Sequence, residues 1–432
     1  MQSNTEPGSD RSDGRVPVHR ERNTPGDSPP TVLLLDGDYD NTLAVARELS
    51  EDLDARIIGT GTTRYSRLLR SNYCDIGEVV PAPGEAGYAD ALLKLMAKYR
   101  PQIVLPVGYD SMAAVDSIRS EIPDAVEICL PPSQSFHVAV DKASTLQRAD
   151  RLGIPVPTDY SGAAEELDEI GRPTPADTLP FPVFLKARRE NGTVTTARVD
   201  EPADFWTAYD GIAAEASDGN VLVQEYIDGP DVTFGCGVLC LDNEIELLVS
   251  HQELRSVPRH GGSGTHLRLV GNPTIEANTA ALLRDIGWNG IALVEFRQRS
   301  DGTYVLMEIN PKFWASYALA SRFGYRFAST MVASALNLDV PRPVGTPQRT
   351  GEMVFPLREL QQYVRNRRDE RLLDCVGTVL AADACWDIDT SDLGAWLTPP
   401  TRILRKIPTL PGSRRAERTR SGPERATAPS EK

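Results

Sequence analysis

The chain has 432 residues, enough for about two or three domains with cores of their own, and its 40% apolar and 25% charged residues are the balance of a globular protein in water. A formal net charge of −15 argues against a nucleic-acid partner, because that affinity rests on cationic side chains meeting phosphates. Only seven of the 46 basic residues are lysines, a bias that salt adaptation and a GC-rich source explain equally well. No N-terminal apolar run resembles a signal peptide and no stretch reaches the length of a membrane span, so a cytoplasmic setting without membrane contact is expected. The six cysteines, at 74, 129, 236, 240, 375 and 385, form no CxxC pair, which suits a reducing compartment. Cys236 and Cys240 share one face of TFGCGVLC and read as small buried apolar groups.

Residues 1–30 are rich in Ser, Pro, Gly, Asp and Arg and are expected to be a disordered tail. Order begins at TVLLLDGDYD (31–40), an apolar run bounded by turn residues, the pattern of a buried parallel strand. A helix follows in NTLAVARELSEDL, then a strand in ARIIGTG, a helix in ADALLKLMAKY and a strand in QIVLPV (102–107). This alternation predicts a doubly wound α/β domain over 31–132.

SFHVAVDKASTLQRADRLGIPVPTDY (135–160) reads as one helix that ends at Gly153 and is stopped by Pro155 and Pro157. Beyond it the strands lengthen and pair as hairpins: 181–199, 220–254 and 291–311, with DN at 242–243 and DG at 301–302 as turns. An α+β region on antiparallel sheets is expected over 133–345. A smaller extension then covers 346–412, and 413–432 reads as a second, solvated tail.

Within YVLMEINPK the face shared by alternate residues carries Glu308, Asn310 and Lys312, and the strand before the DG turn carries Glu295. Two hairpin neighbours would bring two carboxylates and an amide oxygen to one spot, a hard-oxygen set suited to Mg²⁺. The residues alone equally allow strand carboxylates satisfied by arginines. Lys186 stands in the otherwise apolar FPVFLKAR, from which an ammonium can project toward an anion, with a pliable loop after it; an ordinary NG turn explains that loop as well. Lys142 in VDKAST is a cation early in a helix, a phosphate contact or a plain surface lysine. In VLVQEYIDGPD the chain leaves its strand near Glu225, exposing backbone groups that could read an adenine edge; a simple G-P turn is the alternative. Arg255, Arg259 and His260 flank a Gly-rich loop, RSVPRHGGSG, whose successive N–H groups make an anion-binding concavity or merely a hairpin end. His251, His260 and His266 lack zinc-site spacing and read as polar loop or strand residues.

The order of these motifs resembles the ATP-grasp superfamily, and within it the carboxylate–amine ligases related to carbamoyl-phosphate synthetase and D-aspartate ligase. The resemblance spans roughly 31–345. It implies an α/β plus α+β fold: an N-terminal Rossmann-like pre-ATP-grasp domain, then a two-subdomain ATP-grasp fold with antiparallel sheets. It also implies ATP and Mg²⁺ or Mn²⁺ as cofactors, small-molecule carboxylate and amine substrates, and amide formation through an acyl phosphate. Lys142 and Lys186 would contact phosphates. Glu225, Tyr226 and Ile227 would meet the adenine and Asp231 the ribose. Glu295, Glu308 and Asn310 would hold the metal, and Arg255 and Lys312 would steady charge on the transferred group. Two departures stand out: the family usually has Arg at the position of Lys312, and the loop after Lys186 has fewer glycines than usual. Two rival expectations are a nucleotide-binding regulator on the same fold and a dinucleotide-dependent oxidoreductase. Against the latter, LDGDYDN lacks G-x-G-x-x-G. The extension is expected either to close the site or to pair two chains as a homodimer.

Overall fold

The computed structural model describes residues 28–189, 196–230, 232–257, 263–339, 347–366, 370–381 and 384–397. Both tails, Asp231, the loop over 190–195 and the Arg259–His260 stretch of the Gly-rich loop therefore lie outside the described residues, apart from 28–30.

The described residues form three sheets. The first is all parallel, with β1 (Thr31–Leu34), β2 (Arg56–Gly61), β3 (Ile76–Val79), β4 (Ile103–Leu105) and β5 (Glu127–Ile128) in the order β3-β2-β1-β4-β5. Its strands are buried on both faces, as a near-continuous apolar run requires: Val32 and Leu34 belong to one core, Leu33 and Leu35 to another. A nucleotide phosphate would be cradled at the carboxyl end of β1 in a dinucleotide-binding sheet. Here that space is closed by Asp36, whose buried carboxylate accepts from the N–H groups of Val107 (2.9 Å) and Gly108 (2.7 Å) and from the Ser111 hydroxyl.

The second sheet is antiparallel, with β6 (Val183–Ala187) between β7 (Thr196–Val199) and β8 (Val221–Glu225). The third is the frame of the molecule. It contains β9 (Thr233–Leu241), β10 (Glu244–Val257), β11 (Ser263–Val270), β12 (Gly290–Gln298), β13 (Tyr304–Asn310), β14 (Gly351–Val354) and β15 (Ala384–Trp386), in the order β13-β12-β9-β10-β11-β14-β15. All of its pairings are antiparallel except β14 with β15. Asp242 and Asn243 both take positive φ (51° and 65°) at the β9–β10 turn, which is what a tight hairpin asks of them.

One face of this third sheet packs Cys236, Cys240, Val294 and Leu306 against the helix Pro273–Asp285; the two cysteines are buried thiols in an apolar layer, as expected. The opposite face packs Leu239, Leu293 and Leu267 against Trp314, Tyr317 and Phe327, and the same core continues into the helix Asp40–Leu53 beside the parallel sheet. A fully buried acid, Glu48, joins the two parts: its carboxylate accepts from the Tyr317 hydroxyl (2.7 Å) and the Ser329 N–H (3.0 Å).

The single helix expected over 135–153 is two helices, Ser133–Val140 and Lys142–Arg151. The break falls at Asp141, which takes an extended backbone, accepts the Ser144 N–H at 3.0 Å and caps the second helix. Gly153 does end that second helix, with φ 72°.

Candidate active site

Glu295 on β12 and Glu308 on β13 are directly opposed in the antiparallel register, and Asn310 follows Glu308 on the same side. The two carboxyl groups lie within hydrogen-bonding reach of each other. Burial, the Glu308 charge and the nearby Glu253 charge push Glu295 well above the ordinary carboxylate range. Glu308 is buried too, yet the ammonium groups of Lys142 and Lys186 outweigh burial and hold it ionised, below its ordinary value. The two carboxyls are thus pushed in opposite directions, because adjacent buried carboxylates resist ionising together.

The two lysines reach this spot from separate elements. Lys142 is the first residue of its helix, 7% exposed, with Nζ 3.1 Å from Glu308 Oε2. Lys186, 3% exposed, rises from the centre of the three-stranded sheet and donates to the Met307 carbonyl at 3.1 Å. Asp141 aligns them: the carboxylate that caps the Lys142 helix also accepts from Arg188 (2.9 and 3.0 Å) and Arg189 (2.9 Å) at the end of β6. Asn310 donates to Glu308 at 3.2 Å, which leaves its own oxygen as an acceptor.

Lys312 was expected to continue the polar strand face, but β13 ends at Asn310 and Lys312 stands in the turn beyond, its N–H donating to the Asn310 carbonyl at 2.9 Å. Pro311 carries no N–H and ends the ladder there. The ammonium of Lys312 still acts on the site, opposing the rise at Glu295.

Arg255, expected to steady charge on the transferred group, pairs with two acids of the C-terminal part. Its Nε donates to Glu359 at 2.9 Å and its Nη2 to Glu370 at 3.0 Å, so it binds β10 to the C-terminal part. Glu225 faces Arg299, which engages both of its oxygens (Nη2 to Oε2, 3.0 Å), and it also accepts from Thr158 at 3.1 Å; the guanidinium holds Glu225 down to about 2. Arg198 lies over the Tyr226 ring, 4.2 Å from its centroid, and Ile227 is buried. These three residues follow one another but do not reach the Glu295–Glu308 pair through any hydrogen bond of their side chains.

Two further residues stand on the same face: His251, read from the sequence only as a polar loop or strand residue, and Glu253, which drew no attention. The β12–β9–β10 register runs Glu295, Gly235, His251 across three neighbouring strands. Gly235 is needed there: a Cβ on it would lie 2.4 Å from Cε1 of His251, so the imidazole occupies the space a side chain would take. His251 is 3% exposed, and burial pushes its pKa down to about 4. Glu253, two residues on, accepts from Ser256 at 3.0 Å, and burial pushes it up to about 7. Beside it, Arg358 donates to the carbonyls of Gly264 (3.0 Å) and Ala315 (2.8 Å). Period-two spacing in HQELR places 251 and 253 on one side of a strand, and that was the available signal.

No family model matches the chain. It is 28% identical over 183 residues to a D-alanine–D-alanine ligase of Stutzerimonas stutzeri strain A1501, a match covering 40% of this chain and 55% of that one. The chain spans about half the length of the curated relatives it matches. Among solved structures, a biotin carboxylase from Campylobacter jejuni superposes with a TM-score of 0.58 at 15% identity, covering 74% of each chain. An ADP complex of N5-carboxyaminoimidazole ribonucleotide synthetase gives 0.57 at 13% identity, over 78% of this chain and 86% of that one. The chain thus shares the fold of these two solved structures and is similar to D-alanine–D-alanine ligases over part of its length. The donor set fits Mg²⁺: two carboxylates and an amide oxygen are hard ligands, and two buried acids set side by side make a spot where positive charge is favourable. Among the described residues no three His, Cys, Asp or Glu side chains gather as a protein-only metal cage.

Proposed function

We propose that the chain is an ATP-dependent, ADP-forming carboxylate–amine ligase. A substrate carboxylate oxygen attacks the γ-phosphorus of ATP, ADP leaves, and an acyl phosphate forms. An amine then attacks the acyl carbon, the tetrahedral intermediate expels phosphate, and an amide remains. The observation that carries this reading is the Glu295–Glu308 pair with Asn310, set beside the ammonium groups of Lys142 and Lys186 at one end of a sheet face. Phosphoryl transfer needs little from a protein beyond positioning and cancellation of charge, and such a cluster supplies both.

In this reading Lys142 and Lys186 take the phosphates, leaving Glu308 to a metal held with Glu295 and Asn310. Mg²⁺ or Mn²⁺ bound there supplies charge neutralisation at the β- and γ-phosphates. The Glu225–Ile227 segment takes the adenine and Asp231 the ribose. Lys312 steadies the transferred group, while Arg255, engaged by Glu359 and Glu370, holds β10 in place. Residues 31–132 serve as the Rossmann-like pre-ATP-grasp domain, 133–345 as the ATP-grasp domain and 346–412 as an extension. Among the described residues no helix is long and apolar enough to cross a membrane, and we place the reaction in the cytoplasm on small molecules. The extension would either close the site or pair two chains as a homodimer, and light scattering distinguishes the two.

The experiment is ADP release from ATP and Mg²⁺ with pairs of amino acids and small carboxylates, at low and high salt. The likeness to a D-alanine–D-alanine ligase puts D-alanine in the first panel. Metal-dependent ADP release together with an amide product is expected. ATP binding without turnover across the whole panel would instead favour a regulator.

A further inference from the structure

The helices Asp40–Leu53 and Tyr317–Arg322 and the segment after β15 surround a cleft of about 290 Å³. A water in the liquid occupies roughly 30 Å³, so the cleft has room for several waters or for one small organic molecule. Its lining is polar and balanced: Arg47, Arg322 and Arg326 face Glu51, Asp387 and Asp389. It shares no residue with the Glu295–Glu308 cluster.

The charges lining the cleft are poorly satisfied by each other. Arg326 comes no closer than 3.6 Å to Asp52 and 3.8 Å to Glu51, and Arg47 no closer than 3.9 Å to Asp389, all beyond good hydrogen-bond length. Three lining residues also keep a buried polar atom with no hydrogen-bond partner: Nε of Arg326, the hydroxyl of Ser321 and Oδ1 of Asp387. Ser321 is only 2% exposed. A buried polar atom left unpaired costs free energy, and native proteins rarely keep several together without water or a ligand.

The three orphaned groups differ in kind. A guanidinium is a planar donor fork matched to a carboxylate, and a carboxylate is an acceptor matched to an ammonium. A polyanion would meet the acids of this lining and a simple cation its arginines. We propose that the cleft binds a small zwitterion of the amino-acid class, its carboxylate on Arg326 and its ammonium on Asp387. Arg47 and Arg322 reinforce the first end; Asp389, whose oxygens already accept from Tyr73 (2.9 Å) and Ser391 (2.8 and 2.6 Å), adds only its charge at the second. The ligand joins the segment after β15 to the two helices, so its binding tightens the C-terminal part onto the body.

The test uses the full chain without nucleotide. Each of the twenty common L-amino acids, and D-alanine, is titrated while the thermal midpoint is followed, and hydrogen exchange is then mapped by mass spectrometry. At least one amino acid is expected to raise the midpoint saturably, with protection concentrated in 317–326 and 384–397. Arg326→Met and Asp387→Asn should each weaken it about tenfold or more, while Arg326→Lys, which keeps the charge but not the fork, should fall between. Circular dichroism confirms that each variant is folded, and Ser321→Ala, a milder change, replaces any that is not. The proposal is overturned if no amino acid shifts the midpoint or if the variants respond like the parent. It is equally overturned if acetate or methylammonium alone reproduces the shift, meaning an adventitious ion only, or if protection falls on 251–255 and 308–312 instead.

Discussion

Glu295 and Glu308 face each other across two adjacent strands, yet burial and acidic neighbours push the first above the carboxylate range while the lysines hold the second below it. Lys142 lies 3.1 Å from Glu308, while Glu295 has burial and two acidic neighbours for company. Glutamine is close in shape to a protonated glutamate and is a poor copy of an ionised one. Glu295→Gln should therefore change the thermal midpoint less than Glu308→Gln, which removes the carboxylate that Lys142 and Lys186 face. Both should cut Mg-dependent ADP formation by on the order of 10²–10³-fold. Calorimetry and an ADP-release assay check the two halves separately, and undiminished turnover by Glu308→Gln would remove the metal assignment.

Arg255 links two acids that enter from 104 and 115 residues further along the chain. Glu359 is fully buried and one of its oxygens has no partner even with Arg255 present. Arg255→Met should cost about 3–5 kcal/mol, because it strands buried negative charge. Replacing Glu359 and Glu370 by leucine in the same chain should recover most of that loss. Urea denaturation of the single and triple variants measures both, and a mild single variant would mean that the ion cluster contributes little.

The Glu225–Arg299 pair gives a pH signature. Arg299 lowers the Glu225 pKa from 4.5 in the unfolded chain to about 2 in the folded one. A depressed acid stabilises the fold above its unfolded pKa and loses that contribution as pH falls through the folded value. Arg299→Gln should thus be destabilised by about 2 kcal/mol at pH 7, and the gap from the parent should narrow between pH 4.5 and 2. Midpoints from denaturant titrations across that window decide it; a gap independent of pH would contradict the assignment.

His251 should act over a different window. Burial lowers its pKa from 6.5 to about 4, so the unfolded chain takes up a proton between those values while the folded chain resists it. Stability attributable to this residue is present above pH 6.5 and falls as the solution is acidified toward pH 4. His251→Phe should flatten that slope. Gly235→Ala, which would put a Cβ 2.4 Å from the imidazole, should cost about 1–3 kcal/mol and slow ADP formation by displacing the ring beside Glu295. Stability curves at several pH values and a steady-state assay read these effects, and an alanine variant indistinguishable from the parent would refute the tight fit.

Much of the architecture was legible from local pattern. The apolar run at 31–35, the DN and DG turns and the alternation around Glu295 and Glu308 are short-range signals, and the strands and hairpins formed where they pointed. The break at Asp141 escaped, because a capping aspartate within a helical pattern looks like any polar residue until Arg188 and Arg189 are brought against it. Glu253 escaped, and His251 read only as a polar loop or strand residue, for a similar reason: nothing in HQELR says which strand will lie beside it. The sheet order β13-β12-β9-β10-β11 puts β10 two strands from Glu295, and that order is a long-range choice.

By itself the sequence determined the elements, their order and which side chains share the side of a strand, since backbone geometry repeats every two or 3.6 residues and is felt locally. The tertiary structure alone decided which charges meet: Lys142 with Glu308, Arg255 with Glu359 and Glu370, Arg299 with Glu225. Coulomb energy and desolvation depend on distance through space and on what packing removes from water, and neither is written in the spacing of residues along a chain.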